Sequence, residues 1–226
     1  MMASLKGLLR RHGWVDRRTV KGFLREVRGV IHVGAHTGQE RGLYAQYGLK
    51  VLWIEPLEEH FSALQQNIAA LPDQRALQAL VTDSDGGEYV FNVASNAGGS
   101  SSILELKLHA DIWPNVTYTR AVAMRGTTLP ALLEKHGIDA SAYDALVMDT
   151  QGSELLVLRG AAALLDGLNY IRTEVADFEA YEHCCQLADI EAFLAAHGFR
   201  EQVRKVIARH PKGGGYYDIV YRRVAA

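Results

Sequence analysis

The sequence predicts a doubly wound α/β domain: a mostly parallel sheet with helices on both faces and an antiparallel C-terminal hairpin. Three observations predict it. Short apolar runs alternate with helix-length stretches from residue 29 to residue 81, the pattern of parallel βαβ units. A glycine-bounded turn follows the first apolar run, and an acidic residue closes the second. Two final runs, Phe199–Ile207 and Tyr216–Tyr221, are separated by Pro211-Lys212-Gly213-Gly214-Gly215, a turn signal. With 226 residues, 48% of them hydrophobic and 22% charged, the chain can bury one sizeable core.

In order along the chain, Gly29 to Gly34 reads as a buried strand, and a helix is expected from Thr37 to Tyr47, stopped by Gly48. Val51 to Glu55 is the second strand, broken by Pro56, and Leu57 to Leu71 the second helix, stopped by Pro72. Arg75 to Val81 is expected as a third strand. Glu88 to Val93 is an extra strand after the Asp85-Gly86-Gly87 turn, Ala94 to Ser102 a small-residue loop, and Ala121 to Met124 a further short strand. Thr128 has the position of a helix N-cap, with Pro130 in the first turn and Gly137 past the end. Ala145 to Asp149 restores the parallel pattern, and a helix is expected from Ser153 to Leu165. Asn169 to Val175 is the fifth parallel strand. The helix Leu187 to His197 precedes the hairpin of Phe199–Ile207 and Tyr216–Tyr221.

Charge divides the chain into an arm, residues 1–28, and a domain, residues 29–226. Residues 1–30 carry eight basic side chains against two acidic ones, which leaves 16 basic against 24 acidic in the rest. A basic arm suits an acidic substrate, nucleic acid or an anionic surface. No aromatic or Gly-Arg pattern accompanies the charge, so a solvated amphipathic helix is favoured, with Leu5, Leu8, Leu9, Phe23, Leu24 and Val27 turned inward. No apolar run reaches the roughly 18 residues of a membrane span, and none near the N-terminus has signal-peptide length. A cytoplasmic location is expected. Cys184 and Cys185 are adjacent, which suits neither an ordinary disulfide nor a zinc site.

The strongest local signal is the turn His32-Val33-Gly34-Ala35-His36-Thr37-Gly38. A glycine there permits a tight turn and close approach of a ligand, and the N–H groups that open the next helix are expected to face it. The spacing is G-x-x-x-G, not the G-x-G-x-x-G that cradles a dinucleotide pyrophosphate. Glu55 lies 21 residues beyond Gly34, close to the roughly 20 at which a carboxylate meets a ribose hydroxyl pair. Loop, spacing and order together imply an adenosine-containing ligand. Trp113-Pro114 is placed either to cover a substrate or to pack in the core.

Three strings then resemble the FkbM family of methyltransferases: Ile31 to Glu40, Trp53-Ile54-Glu55-Pro56, and Met148 to Leu155 with its Asp149-x-Gln151-Gly152-x-Glu154-Leu155 run. Ser100 to Leu104, Val157 to Ala161 and Thr173-Glu174-Val175 with Tyr181-Glu182 match further stretches, and the resemblance spans about Val30 to Tyr221. His32, His36, His183 and the terminal Tyr216 to Tyr221 depart from the usual pattern.

The resemblance implies a class I (Rossmann-like) fold and S-adenosylmethionine as cofactor. The cofactor would lie over Gly34, Ala35, His36, Thr37 and Gly38, with its ribose on Glu55, its adenine near Val81 to Asp83, and Ser101 at its border. Asp149 would sit beside the methionine portion. The acceptor would be a hydroxyl of a small molecule, sugar or glycan. An alcohol must lose its proton as the bond forms, so Asp149, Glu174 or His183 would act as base, or a divalent ion held by carboxylates would acidify the hydroxyl. Each also has a structural alternative: Asp149 as a helix cap, Glu174 paired with Arg172, His183 as a surface histidine. Two other functions fit the early βαβ layout. One is a nicotinamide-dependent oxidoreductase or epimerase, which would lack its usual Tyr-x-x-x-Lys pair; the other is a non-catalytic cofactor-binding module.

Overall fold

A computed structural model describes residues 19–224. Five strands run parallel at its centre: β1 (Gly29–Val33), β2 (Lys50–Glu55), β3 (Gln74–Gln78), β7 (Ala145–Met148) and β8 (Tyr170–Ala176). Strands β9 (Phe199–Arg209) and β10 (Gly215–Arg223) form the expected hairpin, with β10 antiparallel to β8. The order across the sheet is β3-β2-β1-β7-β8-β10-β9. Connections leave β1 in one direction and β7 in the other. The crevice at the carboxyl ends of these two strands is therefore the place where such sheets bind ligands.

The central strands are apolar on both faces because helices cover both. Leu52, Ile54, Leu146, Met148 and Ile171 face one layer of the core, while Val30, Val51, Trp53 and Val147 face the other. The second layer also takes Phe23, Leu24 and Val27, so the last residues of the basic arm pack into the domain through a 3-10 turn, Gly22–Arg25. Leu5, Leu8 and Leu9 lie outside the described residues. Among the described residues no helix is long and apolar enough to cross a membrane.

Several elements are shorter or split relative to the sequence reading. Helix α1 spans only Arg41–Gln46, because His36 (φ 48°) and Gly38 (φ 73°) are left-handed and cannot belong to a right-handed helix. Helix α2 is Glu58–Ile68. The expected third strand divides at Ala79: β3 stays in the main sheet, while β4 (Leu80–Val81) joins a second sheet with β5 (Glu88–Ala94) and β6 (Tyr118–Thr127), in the order β4-β6-β5. This small sheet buries Leu80, Phe91 and Val93 against Leu57. A short helix that periodicity does not reveal, α3 (His109–Ile112), lies between β5 and β6.

Helix α4 (Leu129–Lys135) opens as expected, with Thr128 accepting from the Ala131 N–H, and ends before the left-handed Gly137. Helix α5 (Glu154–Gly160) is followed by a separate 3-10 turn, Ala162–Gly167, in place of one continuous helix. At Gly160 a Cβ would lie 2.1 Å from the Thr82 carbonyl, so only glycine allows α5 to pass the end of β4. Helix α6 (Leu187–Ala196) turns Leu187, Ile190 and Leu194 into the core.

Candidate functional site

The crevice above β1 and β7 holds two adjoining cavities. The first, of about 380 Å³, is lined by Gly34, Ala35, His36, Glu55, His60, Leu80, Val81, Phe91, Ser101 and Asp149, among others. The second, of about 230 Å³, is lined by Ser100, His109, Trp113, Glu174, Ile207 and Tyr216. Asn96, Gly99, Asp149 and Gln151 belong to both, so they form the wall the cavities share.

The glycine turn is built differently from the expectation. At Gly34 a Cβ would lie 1.9 Å from the Asp149 carbonyl, and at Gly38 it would lie 2.6 Å from the Leu64 side chain. The missing side chains thus make room for the β7 turn and for α2, not for a ligand. The N–H groups of Gly34 and Ala35 both donate to the Ile54 carbonyl, and that of His36 donates to Glu55 Oε2 at 2.7 Å. They are not free to cradle a ligand. Thr37 does not line either cavity; its carbonyl accepts from Asn67.

Glu55 supplies the polar end of the first cavity. Its buried carboxylate takes the His36 N–H on one oxygen and the Leu57 N–H, at 3.1 Å, on the other. His60 Nδ1 lies 3.6 Å from Oε1, and the hydrogen bond and charge of Glu55 raise its pKa. His60 also packs on the His36 ring, with centroids 4.0 Å apart. The His36 Nε2–H donates to the Ala97 carbonyl at 2.8 Å, so this histidine ties the small-residue loop to the β1 turn. Ser101 braces the same loop by accepting from the Ala94 N–H. Asp83 is exposed and outside the cavity; the apolar wall is made instead by Leu80, Val81 and Phe91. His32 is buried on Trp53, and burial lowers its pKa to about 4, so it stays neutral.

The three candidate bases separate clearly. His183 lies apart from the other two: its side chain is 91% exposed, it lies 4.0 Å from Glu179, and it lines neither cavity. Its residue is left-handed (φ 58°) in the turn after Tyr181, which aims it outward. Asp149 is not a helix cap: Ser153 holds the N-cap position of α5 and no side chain caps it, while Glu154 takes the N–H groups of Thr150 and Gly152 in the turn before it. Glu174 is not paired with Arg172, whose guanidinium forms two 2.8 Å bonds to Asp218. Among the described residues no hydrogen-bond donor holds the Glu174 carboxylate. Burial raises the pKa of both Asp149 and Glu174, and repulsion between carboxylates raises them further.

Sequence reasoning missed His60, Phe91, His109, Ile207 and Tyr216. Ile207 has a legible cause only in three dimensions. Tyr216 pairs with Ala208 and Tyr217 with Val206, so Ile207 is the extra residue of a β-bulge, a device that re-aims a side chain. His109 packs on Trp113 and Tyr181, and burial lowers its pKa to about 4. Cys184 and Cys185 have thiols whose pKa burial raises, which suits packing rather than reactivity. Among the described residues no group of three His, Cys, Asp or Glu side chains is arranged to hold a metal ion.

Over residues 32–201 the sequence matches the family described as Methyltransferase FkbM domain. No curated protein matches it. Among solved structures, the chain resembles precorrin-6y C5,15-methyltransferase from Geobacter metallireducens at 10% identity, over 91% of this chain and 87% of that one, with a TM-score of 0.50. It resembles Streptococcus pneumoniae Sp1610 in complex with S-adenosyl-L-methionine at 12% identity, over 92% and 72% of the two chains, with a TM-score of 0.50. An uncharacterized protein from Listeria monocytogenes serotype 4b is similar at 10% identity, over 100% and 70%, with a TM-score of 0.52. At these identities the likeness is one of fold, that of class I methyltransferases.

Proposed function

The chain belongs to the FkbM methyltransferase family, and from that premise we propose that it transfers a methyl group from S-adenosylmethionine to a hydroxyl of a small molecule, sugar or glycan. One observation carries the reading: a cavity closed by Glu55 and a cavity closed by Glu174 meet at Asp149. A donor in the first and an acceptor in the second would face each other across one shared wall.

The residues fit the cofactor. Each Glu55 oxygen takes one backbone N–H, with His60 beside Oε1, which leaves acceptor capacity, chiefly on Oε2, for ribose hydroxyls. Leu80, Val81 and Phe91 form an apolar wall suited to a planar base. When bound, the cofactor supplies an electrophilic methyl on a sulfonium, and transfer is an in-line displacement that depends chiefly on alignment. Asp149, at the junction, places a carboxylate beside the reacting atoms. Trp113, Tyr216 and Ile207 wall the second cavity, exclude water and orient the acceptor. Glu174 receives the hydroxyl proton, because its carboxylate faces that cavity without a competing donor.

Isothermal titration of the protein with S-adenosylhomocysteine and with NAD is the first test. Binding of the homocysteine product is expected; binding of NAD alone would overturn the reading. Glu55→Ala is expected to raise the dissociation constant for the product about ten- to a hundredfold, the loss of hydrogen bonds to a charged acceptor. Incubation with labelled cofactor and a panel of hydroxylated acceptors then identifies the substrate by mass spectrometry.

A further inference from the structure

A polar chain reaches Asp149 through Gln151, its neighbour on the wall the two cavities share. Gln151 Nε2 donates to Asp149 Oδ1 at 2.5 Å, and the Tyr181 hydroxyl donates to Gln151 Oε1 at 2.5 Å. His109, whose ring packs on that of Tyr181 and whose Nε2 lies 3.1 Å from Ser100 Oγ, stands at the far end. Tyr181 is fully buried. Gln151 is left-handed (φ 53°), an uncommon conformation for a non-glycine residue. Its backbone carbonyl is held there by the Ser102 hydroxyl at 2.7 Å. Strain of this kind persists only where the surroundings enforce it.

An amide has one donating and one accepting end. By occupying the oxygen, Tyr181 obliges the nitrogen to face Asp149. We propose that Tyr181 and Gln151 are positioning residues that hold Asp149 ionised, with Oδ2 turned to the shared wall where the cofactor's sulfur would lie. The inference rests on the cofactor reading above but assigns a role to two residues that reading does not use. A hydrogen bond donated to a carboxylate favours its charged form. It opposes the other groups that face Asp149: Glu154 on α5, Glu40 ahead of α1, Glu174 on β8 and Tyr216 on β10 all disfavour the charge, and only Arg172 on β8 assists it. The clamp therefore decides which of the two cavity carboxylates gives up its proton first: Asp149 ionises, and Glu174 titrates later.

The two cofactor forms give a readout that needs no acceptor. S-adenosylmethionine carries a sulfonium charge and S-adenosylhomocysteine does not, so their affinity ratio reports the charge on Asp149. The experiment measures both dissociation constants from pH 5 to pH 9 for the wild type, Tyr181→Phe and Gln151→Met. In the wild type the ratio is expected to favour the sulfonium at high pH and to decline as Asp149 protonates. In both variants the midpoint of that decline is expected to move up by about one to two pH units, and the double variant is expected to move no further than either single one. A structural role alone would weaken both ligands in parallel and leave the midpoint where it was, which would overturn the proposal; so would a wild-type ratio independent of pH. Should Tyr181→Phe fail to fold, Gln151→Met decides the matter. Failure of the wild type to bind either ligand would instead sink the cofactor reading.

Discussion

Replacing Glu174 by glutamine is expected to lower kcat by about two to four orders of magnitude while raising thermal stability. The amide keeps the side chain's volume but cannot accept the hydroxyl proton. The stability gain follows from the cost of the half-buried charge, which no hydrogen-bond donor among the described residues holds. Burial and the neighbouring Asp149 raise the folded-state pKa of Glu174, whereas the unfolded value is about 4.3. Between those two values the folded chain holds a proton that the unfolded chain has lost. Stability therefore falls as pH rises through that window, and the full penalty is present above the folded pKa. The glutamine variant lacks the penalty, so its advantage in melting temperature is expected to be small at pH 4 and largest above neutrality. The same shift places the acid limb of the wild-type rate profile near neutral pH instead of near pH 4. Thermal unfolding at pH 4 and pH 8, with rate profiles on an identified acceptor, checks both. A variant that keeps its turnover would move the proton acceptor elsewhere, and one that loses stability would mean the carboxylate is paired.

Arg172→Met is expected to destabilise the fold by about 3–5 kcal/mol. The Arg172 and Asp218 side chains are only 13% and 6% exposed and form two 2.8 Å bonds. Without the guanidinium, Asp218 is a buried charge with no partner, between strands where water cannot readily replace it. For a chain of this size the loss corresponds to roughly 6–20 °C in melting temperature. Arg172→Met combined with Asp218→Leu is expected to recover most of the loss, because the pair's attraction largely repays its own desolvation. Urea denaturation of the wild type, the two single variants and the double variant measures the cycle. A single-variant loss below about 1 kcal/mol would place the pair among solvent-screened surface bridges.

Much of this architecture is legible in the sequence because it is written locally. Val30 to Val33, Leu52 to Glu55 and Leu146 to Met148 are apolar runs bounded by Gly34, Pro56 and Gly152, and buried parallel strands need no more than that. Glu55 stands at the end of a strand whose position the βαβ order already implies. The hairpin follows from two runs around three glycines. By contrast, His36 and Gly38 shorten α1 through left-handed backbone, and Ala79 divides a strand that composition presents as continuous.

The sequence alone determined the alternation of strands and helices and the carboxylates at the strand ends, since periodicity and chain breakers act over a few residues. Only the tertiary structure decided which groups line the cavities. Phe91 arrives through the pairing of β5 with β6, Trp113 and His109 through the segment between them, and Ile207 through a bulge opposite Tyr216. It likewise turned His183 outward, gave Arg172 to Asp218 and left Glu174 facing the cavity. These choices depend on contacts between residues distant in the chain, where competing partners are settled by packing and desolvation, and no local pattern records the outcome.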